Sequence, residues 1–231
     1  MISKDDNTLE LEQKLELAPA DLETVFEALE PDQFKTKTHI RDYYDTAALD
    51  LYGDKTALRL EYKNGTGYEQ TLKTAITDED AGQTLSRHEW EYPVKSNAPD
   101  FTVITDASAV AAVSKVNAED LVHLFTSKIN RRYFNLTVDV PEGQAVVEVA
   151  FDLGSIILAP DVQKHKDIVA EQPLSEIEVE LISGQPKALD QVIARIQALM
   201  PRARPSRISK NQRGMTLFQA AIQHLKNGSV S

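Results

Sequence analysis

Leu9-Glu10-Leu11-Glu12-Gln13-Lys14-Leu15-Glu16-Leu17 alternates with a period of two: every odd position is apolar except Gln13, and every even position is charged. That is the spacing of a β-strand, whose successive side chains point to opposite faces. One face of the strand is therefore greasy, and the other is made only of Glu10, Glu12, Lys14 and Glu16. Just beyond it, Pro19 and Asp21 open an amphipathic helix with Leu22, Val25, Phe26 and Leu29 on one stripe.

The same alternation recurs along the chain. It predicts strands over residues 38–44, 57–63, 67–73, 86–94, 128–138, 145–153 and 175–181. Asn64-Gly65-Thr66-Gly67 and Asp139-Val140-Pro141-Glu142-Gly143 have the composition of hairpin turns. One or two short helices are expected within 107–125. Further helices are expected at 187–200, with Leu189, Ile193, Ile196 and Leu199 on its stripe, and at 216–226, ended by Asn227-Gly228. Residues 160–173 read as an exposed polar loop. With no repeat and no Gly/Ser-rich linker, residues 1–231 are expected to form one domain, mostly antiparallel β with peripheral helices.

The polar faces of these strands carry full charges in i, i+2 sets. Glu10/Glu12/Lys14, Arg59/Glu61/Lys63, Glu69/Thr71/Lys73, Arg87/Glu89/Glu91, Glu148/Ala150/Asp152 and Glu176/Glu178/Glu180 form the series. The face of an open sheet toward water would explain any one of them. Six together are harder to explain so, because such faces normally hold more Ser, Thr, Asn and Gln, and like charges two apart repel unless a cation intervenes. A closed barrel with a charged lumen is the alternative. Carboxylates there suit a hard cation, and Lys and Arg suit phosphate oxygens.

Composition narrows the classes. The chain has 231 residues, 42% of them hydrophobic, and 25 Lys+Arg against 36 Asp+Glu, a net charge of −11. That is ample for a core and too apolar for a disordered acidic chain. The acidic balance argues against nucleic acid as a partner. With no cysteine, disulfides, thiolate metal sites and a cysteine nucleophile are excluded. The five His show no pairing at ligand spacing. The charged N-terminus has no signal-peptide core, and no apolar run approaches the ~18 residues of a membrane span. A cytoplasmic protein without membrane partners is the expectation.

Glu10-x-Glu12-x-Lys14 resembles the ExExK signature of the CYTH superfamily, the triphosphate tunnel metalloenzymes. The order of later motifs strengthens the resemblance. Arg41-Asp42-Tyr43-Tyr44-Asp45-Thr46 is similar to its YYDT segment, Ala57-Leu58-Arg59-Leu60 to its ALRxR strand, Thr71-Leu72-Lys73 to TLK, and Arg87-His88-Glu89-Trp90-Glu91 to RxExE. Arg131 falls on the strand bearing a family arginine. Residues 147–154 and 175–181 resemble the VExAxDxG and SEIExEL pair, and residues 209–214 the SKxxRG element. The resemblance spans about residues 9–218 and is nearest to the bacterial inorganic triphosphatase branch, without the helical CHAD domain often appended.

The resemblance implies a closed eight-stranded antiparallel β-barrel forming a tunnel, and an enzyme inside it that hydrolyses inorganic triphosphate to diphosphate and phosphate. It implies Mg²⁺ or Mn²⁺, two ions, with Glu10, Glu12, Glu178, Glu180 and Asp152 as metal residues and Glu10 and Glu12 acting catalytically through metal-activated water. Lys14, Arg59, Lys73, Arg131 and Lys210 are the implied phosphate contacts, with Arg87 and Lys63 as further candidates. The family commonly has a second Arg where this chain has Glu61, and Lys63, of the same parity, is expected to replace its charge. Glu176, near its strand start, is expected at the rim, and Tyr43 and Tyr44 in packing. Small-molecule triphosphate is the expected partner, with the oligomeric state open between monomer and homodimer. Thiamine-triphosphate hydrolysis, adenylate cyclisation of the class IV type and a non-catalytic polyphosphate- or nucleotide-binding barrel are the alternatives.

Overall fold

A computed structural model describes residues 9–29, 31–63, 67–76, 84–163 and 169–228. The chain runs β1 (Leu9–Glu16), α1 (Pro19–Leu29), β2 (Lys35–Thr46), α2 (Asp50–Gly53), β3 (Thr56–Lys63), β4 (Gly67–Ala75), β5 (Leu85–Val94), α3 (Ala107–Val113), β6 (Leu121–Val140), β7 (Gly143–Leu158), β8 (Glu171–Ser183), α4 (Lys187–Leu199), β9 (Arg204–Ser206) and α5 (Lys210–Gly228). Neighbouring strands pair antiparallel in the order β5-β4-β3-β2-β6-β7-β8-β1, and a β5–β1 pairing closes the ring. The short β9 adds to β1 outside the ring of eight.

Pairing register settles which face is the lumen. Cross-strand partners point to the same side of a sheet, so a chain of pairings carries one face around the barrel. Glu10 stands opposite Arg87, Lys14 opposite Glu178, and Glu12 opposite Glu180. Glu180 stands opposite Glu148, and Asp152 opposite both Glu176 and Arg131. Lys37 stands opposite Arg131, Tyr43 opposite Arg59, and Lys73 opposite Glu89. All six charged sets therefore face inward.

The other face carries the core. Helices α1 and α4 cover Leu15, Phe134, Val147, Val149, Phe151, Ile177 and Val179 with Leu22, Val25, Phe26, Leu189, Val192 and Ile196. Fully burying each such side chain stabilises the fold by roughly 1.5–3 kcal/mol. A second cluster sets Leu51 and α3 against Leu58, Leu72 and Trp90. A third lies on the lumen side, where α5, through Met215, Leu217, Phe218 and Ala221, packs on Tyr43, Phe125 and Ile129, residues that share the parity of Arg41 and Arg131.

The expected strands are present, most of them longer than the alternation indicated. Residues 121–125, expected to be helical, open β6, and only α3 and a 3-10 turn at Ala118–Asp120 are helical in that region. The expected exposed loop at 160–173 is shorter, because β8 already begins at Glu171; residues 164–168 of it lie outside the described residues, as do Asn64, Gly65 and Thr66 of the first expected turn. Pro141 and Glu142 make the second turn, between β6 and β7.

Helix α5 starts at Lys210, six residues before the expected 216. Ser209 accepts from the Gln212 backbone N–H at 3.1 Å, and the Gln212 side chain accepts from the Ser209 N–H at 2.8 Å. This is a reciprocal capping box. A Cβ on Gly214 would meet the Phe125 ring at 2.1 Å, so only glycine lets the helix lie this close.

Candidate active site

The lumen encloses a cavity of about 1440 Å³. Among the described residues that line it, nine are Lys or Arg and seven are Asp or Glu, so the wall is net positive in a chain of charge −11. Glu10, Glu12, Lys14, Arg59, Lys73 and Arg87 line this single cavity, as do Arg131, Glu178, Glu180 and Lys210.

One side of the cavity is a network of charge pairs. Lys73 donates to both Glu10 oxygens at 3.0 and 2.8 Å and lies 2.7 Å from Glu89. Arg87 pairs with Glu12 and lies 3.3 Å from Glu10. Arg59 donates to Glu89 at 3.1 Å. Burial works to raise the Glu10 pKa, yet Lys73 and Arg87 hold it below the usual carboxylate value. For Arg59 and Arg87 burial works downward; Tyr43 and then Glu89 more than reverse it at Arg59, and Glu12 and Glu10 at Arg87.

Beneath lies a carboxylate cage with an ammonium at its centre. Oxygens of Asp152, Glu176 and Glu178 come within 4.8 Å of one another, a spacing that could hold a metal ion. Lys210, on the first turn of α5, sits there instead, with Nζ 2.7 Å from Asp152, 2.6 Å from Glu176 and 2.8 Å from Glu178. Lys14 reaches the same group, pairing with Glu178 and lying 3.8 Å from Glu176. Arg131 grips Asp152 in two-toothed fashion at 2.7 Å and also pairs with Glu178. Burial opposes ionisation of Glu178, but Lys14, Lys210 and Arg131 hold its pKa well below the ordinary value.

Glu180 is different. It stands in a cross-strand row between Glu12 on β1 and Glu148 on β7, and no cation pairs with it among the described residues. Burial first, then the charges of Glu10 and Glu12, push its carboxyl up to about 8. A divalent cation between Glu10, Glu12 and Glu180 would relieve that repulsion, and an all-oxygen set fits Mg²⁺ or Mn²⁺.

Asp152, which the resemblance gives as supporting metal or orienting a base, is 0% exposed within the cage and faces Arg131 and Lys210. Other residues sit elsewhere than expected. Glu176, expected at the rim, is also 0% exposed and inside the cage. Lys63 does not line the cavity; its ammonium lies 2.6 Å from Glu69 and 3.1 Å from Glu61. Arg41, which the motifs did not single out, does line it, opposite Glu61. Parity with Tyr43 on a lumen-facing strand was the available signal. Tyr43 packs as expected, stacked on Phe125 at 4.7 Å, and Asp45 accepts from the backbone N–H groups of Leu51 and Tyr52, fixing α2.

No curated protein matches the chain in sequence. Among solved structures, a protein of Bacillus halodurans described as an adenylate cyclase candidate is similar at 14% identity, over 88% of this chain and 96% of that one, with a TM-score of 0.55. HpAC1 from Hippeastrum, named for adenylyl cyclase and described as having a dominant triphosphatase activity, is similar at 17% identity, over 91% and 95%, with a TM-score of 0.54. At these identities the likeness concerns the fold, which is the same closed barrel. The model of the CYTH domain matches residues 8–215, and with a lumen built from those motifs the chain belongs to the CYTH domain family.

Proposed function

We propose that the protein is a divalent-metal-dependent triphosphatase that hydrolyses inorganic triphosphate to diphosphate and phosphate inside the barrel. The observation that carries this reading is the row Glu12–Glu180–Glu148, with Glu10 beside it, in which Glu180 alone has no cation partner among the described residues although the neighbouring wall is rich in them. Glu10, Glu12 and Glu180 would hold Mg²⁺ or Mn²⁺. When bound, the ion supplies charge neutralisation at phosphate oxygens and polarises the attacking water.

The chain's own residues bind and orient. Arg59, Lys73, Arg87 and Arg131, each partly open to the cavity, take phosphate oxygens, and Arg guanidinium groups do so in two-toothed fashion. Lys14 and Lys210 approach from the cage below, where Asp152, Glu176 and Glu178 fix their positions. Such preorganised charge stabilises the in-line transition state without reorganising as the reaction proceeds. No side-chain nucleophile is needed.

A second reading, an organic triphosphate as substrate, is favoured by the size of the cavity and by Tyr52 along it, whose ring could stack on a base or thiazolium ring. Phosphate release from triphosphate, thiamine triphosphate and ATP, with Mg²⁺, Mn²⁺ or no metal, separates the two. Triphosphate turned over far faster than the others supports the first reading. Preference for an organic triphosphate, or cyclic AMP formed from ATP, replaces it with the second. A rise in melting temperature with triphosphate, but no release, points to a binding barrel.

A further inference from the structure

Round the ring of eight strands, β2 lies four places from β1, on the opposite wall from Glu10 and Glu12. Three adjacent strands of that region, β3, β2 and β6, each present one arginine to the lumen: Arg59, Arg41 and Arg131. Arg59 and Arg131 are matched by carboxylates of their own, Glu89 for the first and Asp152 and Glu178 for the second.

Arg41 is not matched in this way. Its one carboxylate partner, Glu61, lies 3.1 Å from Nε and is shared with Lys63 at 3.1 Å and Lys37 at 4.0 Å. Nη2 lies 2.9 Å from Nδ1 of His39, but that nitrogen donates to Glu61 at 2.5 Å and does not accept from Arg41. Nη1 makes no hydrogen bond among the described residues. The side chain is 12% exposed, and the guanidinium borders the cavity. Burial, and next the charge of Arg59, lower the Arg41 pKa, whereas Arg59, Arg87 and Arg131 are all raised. The β2 wall thus has a cavity-lining guanidinium held by a carboxylate at Nε alone, with no cavity carboxylate paired to its other nitrogens among the described residues.

We propose that Arg41 is a further anion-contacting residue: it binds a phosphate group of the ligand on the wall opposite Glu10 and Glu12, and Glu61, itself held by His39, positions it. A ligand that meets Arg41 as well as the opposite wall extends across the lumen, as a chain of phosphates can and a single phosphate cannot, so Arg41 helps to distinguish triphosphate from orthophosphate. The inference rests on the triphosphate reading for the identity of the ligand.

The test is Arg41→Gln, with Lys37→Gln as a neighbouring charge control. KM and kcat for triphosphate are read separately in Mg²⁺; if the wild type releases no phosphate, a calorimetric Kd for triphosphate and for orthophosphate takes their place. Removing a charge-assisted contact should raise KM or Kd for triphosphate about 10- to 100-fold. Lys37→Gln should change it by less than about threefold, and Arg41→Gln should narrow the gap to orthophosphate. A change under about threefold in Arg41→Gln, or an equal loss in Lys37→Gln, overturns the proposal while leaving hydrolysis by the wild type intact. A wild type that binds triphosphate through Arg41 without hydrolysing it sinks only the enzyme reading, and one that does neither sinks both. If Arg41→Gln fails to fold around an unmatched Glu61, the double variant with Glu61→Gln removes that charge and is measured in its place.

Discussion

Glu178 and Glu180 stand two residues apart on β8, facing the same lumen, in opposite electrostatic settings. Glu178 is met by Lys14, Lys210 and Arg131, and its pKa is driven far down; Glu180 is met by other carboxylates and is pushed up to about 8. One carboxylate is already neutralised by the protein. The other is left for an added cation.

Glu180→Gln should therefore act in opposite directions on stability and on metal binding. Without metal, losing a repelled carboxylate leaves the melting temperature unchanged or raises it. Affinity for Mn²⁺, read by calorimetry, should fall at least about tenfold through loss of one oxygen ligand. Equal Mn²⁺ affinity in the variant would remove Glu180 from the metal site.

The pH dependence follows with a definite sign. The folded-state pKa of Glu180, about 8, lies above the ordinary 4.5. Its contribution is present below the ordinary value and is lost as pH rises through the folded one. Metal-free protein should melt progressively lower between about pH 5 and pH 8, more steeply than Glu180→Gln. Mg²⁺ affinity should rise over the same range, since binding expels the proton. Thermal melts in EDTA across that range check the first, and calorimetry in buffers of different ionisation enthalpy the second.

Lys210→Met strands three buried carboxylates. Breaking a buried pair by removing one partner costs about 3–5 kcal/mol, and here Asp152, Glu176 and Glu178 all lose the same ammonium. Urea denaturation should show a loss of that size. A loss below about 1 kcal/mol would mean that the cage is more open to water than its burial indicates.

Gly214→Ala should cost about 1–3 kcal/mol, because its Cβ collides with the Phe125 ring and has to push α5 off the barrel. Chemical denaturation measures it, and Phe125→Leu in the same background should recover part of the loss.

The strands and the charged lumen face of the candidate site were legible because the period-two pattern puts those residues on one parity, whereas strand number and closure came from the CYTH resemblance. Where that pattern was interrupted, the reading failed. Leu121-Val122-His123-Leu124-Phe125 is a short, mostly apolar run, and such runs suit helix and strand alike. Pro173 suggested a strand beginning after it, yet β8 starts at Glu171 and carries the proline within it, which moves Glu176 from the expected rim to the middle of the strand. The capping box Ser209-Lys210-Asn211-Gln212 was a readable start for α5, hidden by its motif. Which carboxylate keeps a cation and which lacks one depends on cross-strand register, set by strands far apart in sequence. Lys63 and Arg41 exchange their expected standing for that reason.

The most direct test is phosphate release from inorganic triphosphate as Mg²⁺ or Mn²⁺ is titrated in, for the wild type and for Glu10→Ala and Glu12→Ala, with circular dichroism confirming that each variant is folded. The account expects metal-dependent release of phosphate and diphosphate by the wild type and its abolition in both folded variants. Wild-type turnover in either variant, or release that does not depend on metal, would contradict it.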